Sequence, residues 1–461
     1  MAYWGMAFAQ GPNINNDITP QKEIKAYEFA QKALRLSSRA SESEKAYINA
    51  LATRYTNDPR ADFVPLRYKY RDAMKKVIEK YPEDLDAATL YAESILNLDP
   101  WKYWTWDGKP TDGVIEATEI LNSVLISNPE HIGANHFNIH AWEESPTPER
   151  ALLSAQRLVN DETNSGHLLH MPCHIFLLTG DYEEAIKTSK RAIRADKQYI
   201  YNYGLEGEYP VHYLSHNLYI LVRSYMLSED YDNSIRTALE LKELIYPHLE
   251  SMPGMASNGL VPLEVYLYFN RWRELLQYKF QKNKSPYVEA YLHFSRAIAY
   301  ANLGNLGLAF REKKMMLQVK SFIQEEELIA INPATKLFEI LELVLNATLS
   351  GVQNQIDDQI ENLKEGIVLE DRLNYSEPPA WYAPIRTQLG KVLLQQGRYS
   401  EATEVFREAL KKRPRNGRLL LGLTLSLKGQ GQTWNAFWAE REMAAALKNT
   451  QTQKCLSFDE L

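Results

Sequence analysis

At 461 residues the chain is too long for one small core, and it reads as two or more domains or as one elongated repeat array. Its 45% apolar content is that of a folded protein, and 52 basic against 59 acidic residues leave a net charge of −7, which excludes the basic stripe of a nucleic-acid binder. Two cysteines, Cys173 and Cys455, exclude a disulfide framework and a Cys-based zinc site, and no run of about 18 apolar residues is present to span a membrane.

The first element, MAYWGMAFAQG, reads as a helix from its first residue, apolar on most sides and stopped at Gly11-Pro12. It has neither the basic n-region nor the long apolar stretch of a signal peptide. A helix that starts uncapped and apolar at Met1 points to something missing upstream. The expected location is therefore cytoplasmic for the chain as it stands, and exported or periplasmic if a signal-bearing segment precedes it. Further on, LDPWKYWTWDGKP (98–110) packs three Trp and one Tyr into six residues between helical segments. Such an insert buries aromatic area before it does anything else, so packing is preferred to a lid over a groove. Asp107-Gly108 with Pro110 marks a turn.

Repeats organise the remainder. Residues 383–416 place Gly390, Gly397, Tyr399, Ala402, Phe406, Ala409 and Pro414 at the spacing of a tetratricopeptide (TPR) repeat. Gly390 and Ala402 are small where the two helices of the pair cross, Gly397 ends the first helix and Pro414 ends the second. A second copy begins at HLLHMPCHIFLLTGDYEEAI, with Gly180, Tyr182, Ala185 and Ala192 in phase. Weaker copies lie at 225–245 and 301–314, and Pro82 and Pro129 mark two more helix ends. With almost no strand-like alternation, this predicts an all-α fold, a TPR-like α-solenoid of stacked antiparallel helix pairs. The expected halves are a histidine-rich 1–250, lacking an upstream repeat, and a more regular 251–461.

Seven of the ten histidines fall between residues 136 and 216. With Gly180 at position 15 of its repeat, His167, His170 and His174 occupy positions 2, 5 and 9 of the first helix and project within about 60° of one another. Those positions, with 12, face the concave groove of TPR proteins. In the preceding repeat His136 and His140 fall at 5 and 9, and Glu143 at 12. In the following one His212 and His216 are again four apart. Packed helices lie roughly 8–10 Å apart, so imidazoles on neighbouring helices can meet around one ion.

The metal reading therefore takes His136, His140, His167, His170, His174, His212 and His216 as ligands, with Glu143 as a candidate carboxylate ligand or base. Imidazole with carboxylate suits Zn, Cu or Fe and does not choose among them. Seven candidates exceed one tetrahedral set, so either two ions bind or some rings support others or face a substrate. An ion with an open position would activate water or oxygen, which makes an enzyme conceivable, but no residue names a substrate. Two other readings stay open: buried structural histidines, and a metal-free TPR scaffold whose groove holds a protein segment or small molecule. Pro172 is expected to kink its helix, and Cys173 to be a core thiol rather than a ligand. No Gly-rich phosphate loop, Ser-His-Asp order or CxxC motif appears.

MAYWGMAFAQGPNIN, LDPWKYWTWDG, ANHFNIHAWEESPTPERAL, GHLLHMPCHIFLLTGDYEEAI and VHYLSHNLYIL together resemble a family of bacterial TPR-repeat proteins, and are more loosely similar to tetratricopeptide repeat protein 38. The resemblance covers about residues 1–245, and beyond that only generic repeat. It implies that the paired histidines are characteristic motifs, and that a further repeat with a Phe-Asn-His motif, often behind an export signal, precedes the AYWG segment. It implies no particular reaction.

Overall fold

The computed structural model describes residues 1–160, 163–207, 209–249, 252–280, 285–448, 456–458 and 461. Cys455 lies outside them. The described residues are almost entirely helical. Apart from two single bridges, their β structure is one short antiparallel pair, Leu328–Ile329 against Asn332–Pro333. Consecutive helices pack on one another, as the repeat spacing predicts for an all-α TPR-like stack.

Two compact units divide the chain, Met1–Asn160 and Asp161–Leu461, so the division falls well before residue 250. The reason is the core of the second unit. One cluster of buried side chains runs from Ile193 to Leu461 and includes Leu241, Ile245, Leu260 and Val261, so no apolar break occurs near 250.

In the first unit, the N-terminal helix Ala2–Phe8 has no side-chain cap, as its sequence foretells. Several later helices carry side-chain caps. Ser41 and Glu44 close a reciprocal capping box, and Asp84 accepts the Ala87 N–H at 2.9 Å. His131 serves as a cap as well, its Nδ1 accepting the Ala134 N–H at 3.1 Å at the head of Ile132–Glu143. The core holds Tyr70, Met74, Leu96 and Leu121.

In the second unit, Phe406 wedges against both Gly390 and Gly422, where a Cβ would come within 2.3 and 2.2 Å of its ring. Helices Ile385–Gln395, Tyr399–Lys412 and Gly417–Gly429 cross there, which is why the repeat needs small residues. A feature the repeat pattern did not announce is closure. Tyr182 donates to the Pro414 carbonyl at 3.0 Å, Arg415 pairs with Asp181 at 2.6 Å, and Arg418 grips Glu229 through two 2.8 Å bonds. The best two repeats of the sequence therefore touch each other. A one-dimensional stack, in which each repeat meets only its neighbours, makes no such contact.

Candidate metal centre

The helix Gly166–Thr179 carries three of the candidate histidines. Ser165 caps its start, and Gly180 ends it with φ +79°, the left-handed conformation that a Cβ resists. The helix runs through Pro172 without interruption. Tyr182–Tyr203 packs back on it, and Ser215–Leu227 packs on Tyr182–Tyr203.

Asp196 ties these three helices together. It is buried and accepts the Tyr209 hydroxyl at 2.9 Å and the Asn217 amide at 2.6 Å. Gly166 lies directly against it: a Cβ there would stand 1.7 Å from Asp196 Oδ1. The knot fixes the start of the His170 helix relative to the residue that follows His216. Burial raises the Asp196 carboxyl above its ordinary range, against the two hydrogen bonds that stabilise the anion.

The result is a cluster of three imidazoles. His174 Nε2 lies 2.6 Å and His216 Nε2 3.0 Å from His170 Nε2. One ligand nitrogen from each ring falls within 4.8 Å of the others. His170 and His174 are each only 2% exposed, so they do not face an open groove, and His216 is half-buried. Cys173 is fully buried, as expected of a core thiol, and its Sγ sits 3.2 Å from His170 Nδ1, on the side of the ring away from the cluster. That contact orients the ring, in the manner of the groups that hold metal-binding histidines in place.

An aromatic nitrogen offers either one proton or one lone pair in the ring plane. His170 Nε2 therefore forms one well-aligned hydrogen bond, yet it meets two nitrogens. The second contact makes at best a poorly aligned three-centre bond, because one in-plane proton or lone pair cannot point at both rings, whereas a cation between the nitrogens would take a lone pair from each. Ligand bonds of about 2.0–2.1 Å in a tetrahedral site put neighbouring nitrogens roughly 3.3 Å apart. The two spacings at His170 are shorter than that, by about 0.7 Å to His174 and about 0.3 Å to His216, so the rings must spread by less than an ångström to take an ion. Three imidazole ligands in a largely buried site fit a transition metal.

The other expected residues fall elsewhere. His167 is on the same helix, its ring 6.1 Å from that of His170 and 6.3 Å from Tyr213. His212 is exposed and stands apart from the three nitrogens. Pro210–Leu214 forms a π-helical turn before Ser215–Leu227, and the wider turn rotates His212 off the face that a regular i,i+4 pair would share with His216.

His136, His140 and Glu143 belong to the first unit. The His136 and His140 rings are 4.9 Å apart, and Glu143 Oε1 accepts from His140 Nδ1 at 2.6 Å with both groups buried. Burial pushes the His140 imidazole down to about 3, so the ring is neutral and its Nδ1–H is the donor. Glu143 thus orients a ligand-competent ring. The aromatic insert packs around this pair: Trp101 meets the His140 ring edge-on at 5.8 Å, Trp104 donates to the Ala141 carbonyl at 2.8 Å, and Tyr103 is buried. Trp106 instead projects outward, 71% exposed.

Sequence reasoning missed Glu264, which is buried beside the second-unit cluster's own helix. The Tyr219 hydroxyl, three residues beyond His216, donates to it at 2.8 Å. The available signal was a lone carboxylate in the apolar run VPLEVYLYF, and a lone Arg223 in ILVRSYML. Burial raises the Glu264 carboxyl, and Arg223, 3.9 Å away, pulls it back.

Models of the tetratricopeptide repeat match residues 383–416 and 174–199, the two repeats in contact in the second unit. No curated protein matches the sequence. Among solved structures, the fold is similar to a chain of the APC/C hetero-tetramer Cut9-Hcn1, with 13% identity and a TM-score of 0.30 over 94% of this chain and 65% of that one. It is also similar to the human IFIT1 dimer with m7Gppp-AAAA, with 12% identity and a TM-score of 0.35 over 92% of this chain and 78% of that one. No helix among the described residues is long and apolar enough to cross a membrane.

Proposed function

We propose that this chain is a TPR-repeat protein that binds one transition-metal ion, Zn, Cu or Fe, through His170, His174 and His216. One observation carries the reading: His170 Nε2 meets two other imidazole nitrogens, at 2.6 and 3.0 Å, when its one in-plane proton or lone pair can align with only one of them. A cation would replace one shared, poorly aligned hydrogen bond with three lone-pair contacts. Three protein ligands leave a fourth position for water or substrate, the arrangement used by metalloenzymes, and the bound ion would supply Lewis acidity there. His136 and His140, with Glu143 as orienting carboxylate, form a second candidate ligand pair. His167 and His212 stand beside the three-imidazole site rather than in it. The paired-histidine segments resemble characteristic motifs of a bacterial TPR-repeat family, and that resemblance supports the same reading.

The test is elemental analysis of protein purified without a histidine tag, beside His170→Ala/His174→Ala. About one equivalent of metal in the parent, absent from the variant, is the expected outcome. No metal in either after reconstitution with Zn, Cu and Fe salts would overturn the proposal. The second reading, a metal-free scaffold that holds a protein segment or small molecule, draws on the two repeat matches, because stacked TPR helices commonly bind partners.

A further inference from the structure

A cavity of about 390 Å³ in the second unit shares His216 with the imidazole cluster. Its wall includes Tyr219, Tyr287 and Tyr291 and two carboxyls, Glu264 and Glu377. No Lys or Arg is among the described residues that line it. Its size suits a small organic molecule.

Two features show that the wall is built to receive something polar. Tyr291 is 3% exposed, and its hydroxyl has no hydrogen-bond partner among the described residues. A buried hydroxyl without a partner carries a desolvation cost that a ligand atom would remove. Glu264 is buried as well and engages only one of its oxygens with Tyr219. Arg223, which does not line the cavity, approaches that same oxygen at 3.9 Å.

The charge balance selects the ligand class. Apart from the imidazoles of His212 and His216, a carboxylate or phosphate ligand would find no basic side chain on the wall, and it would face two carboxyls. A positively charged amine finds those carboxyls together with three tyrosine side chains, the surroundings that attract organic cations. We infer that this cavity binds a small organic ammonium ion, with its amine directed to Glu264 and Tyr291 and its apolar body against the tyrosine rings, beside the metal site. Only the last clause rests on the metal reading. His216 forms part of both walls, so an ion held by the three imidazoles would lie next to the bound amine.

Calorimetric titration with three molecules of one shape tests this: phenethylamine, phenethyl alcohol and 3-phenylpropionate. The amine should bind at least tenfold more tightly than the alcohol, and the carboxylate more weakly still. Glu264→Gln should cost the amine about tenfold. Tyr291→Phe, which removes only a partnerless oxygen and so leaves the fold intact, should cost it about threefold. Equal binding of amine and alcohol, preference for the carboxylate, no binding of any of the three, or unchanged amine affinity in Tyr291→Phe would each overturn the inference. The titration is repeated on metal-free protein and on His170→Ala/His174→Ala. Amine binding that persists there while metal retention fails in the parent would contradict the metal reading and leave the cavity reading standing.

Discussion

The two units bury histidines in opposite ways. In the first, His140 is neutral and donates its Nδ1–H to Glu143 in a 2.6 Å hydrogen bond. In the second, His170, His174 and His216 turn their Nε2 atoms on one another. The first arrangement is held together by a carboxylate that is already present. In the proposed metal-bound form the second is held together by a cation. Paired histidines at the same spacing on successive repeats thus do different things, according to which third group the fold brings up.

The comparison is broken most strongly by adding metal. Zinc at a thousandfold excess over its Kd should stabilise the second unit by about 4 kcal/mol, a melting shift on the order of 10 °C. Scanning calorimetry should show the shift in the parent, unchanged in His136→Ala/His140→Ala and absent from His170→Ala/His174→Ala. An equal shift in all three proteins would mean that the metal binds elsewhere.

Next in size is Glu143→Ala, which leaves a buried His140 donor without its acceptor. A loss of roughly 1–3 kcal/mol is expected from denaturant unfolding, with or without zinc. The counterpart in the second unit is Gly166→Ala. Its methyl would collide with Asp196, 1.7 Å away, at a cost of roughly 1–3 kcal/mol. Unlike Glu143→Ala, it should also weaken zinc retention, because the Asp196 knot sets the His170 helix against the helix of His216. Zinc affinity equal to that of the parent would show that the knot does not align the ligands.

The smallest effect should come from Glu144→Gln, which keeps an acceptor for the Tyr103 N–H. Burial, with Glu143 adding to it, pushes the Glu144 carboxyl up to about 8. Between pH 4.5 and 8 the folded state therefore keeps a proton that the unfolded state has lost, and stability falls as pH rises through that window. The melting temperature of Glu144→Gln relative to the parent should climb from pH 4.5 to 8. A difference independent of pH would show that Glu144 is ionised in the folded protein. His140 acts in the other direction: with its ring held at about 3, stability falls as pH drops below 6.5.

Much of this was legible beforehand. The helix pairs, the crossing at Gly390, the end of a helix at Gly180 and the helical phase of His170 and His174 all follow from short-range spacing. The packing of Trp101, Tyr103 and Trp104 follows from their size. What spacing could not show depends on contacts between distant residues. The closure of Tyr182 on Pro414 joins positions far apart in the chain and obeys no repeat rule. The meeting of His216 with His170 depends on Asp196, a residue that looks like any other charge on an amphipathic helix. The displacement of His212 depends on a single wide turn, which no i,i+4 count foresees. The burial of Glu264 was hinted at by its apolar neighbours, but its place in the wall of a cavity was not.

The central claim is that three imidazoles of the second unit hold one ion, and X-ray absorption spectroscopy of the zinc-loaded protein tests it most directly. The account predicts a four-coordinate first shell at about 2.0–2.1 Å with the outer-shell scattering of three imidazole rings, lost in His170→Ala/His174→Ala. A shell of oxygens alone, or three-imidazole scattering that survives in the variant, would contradict it.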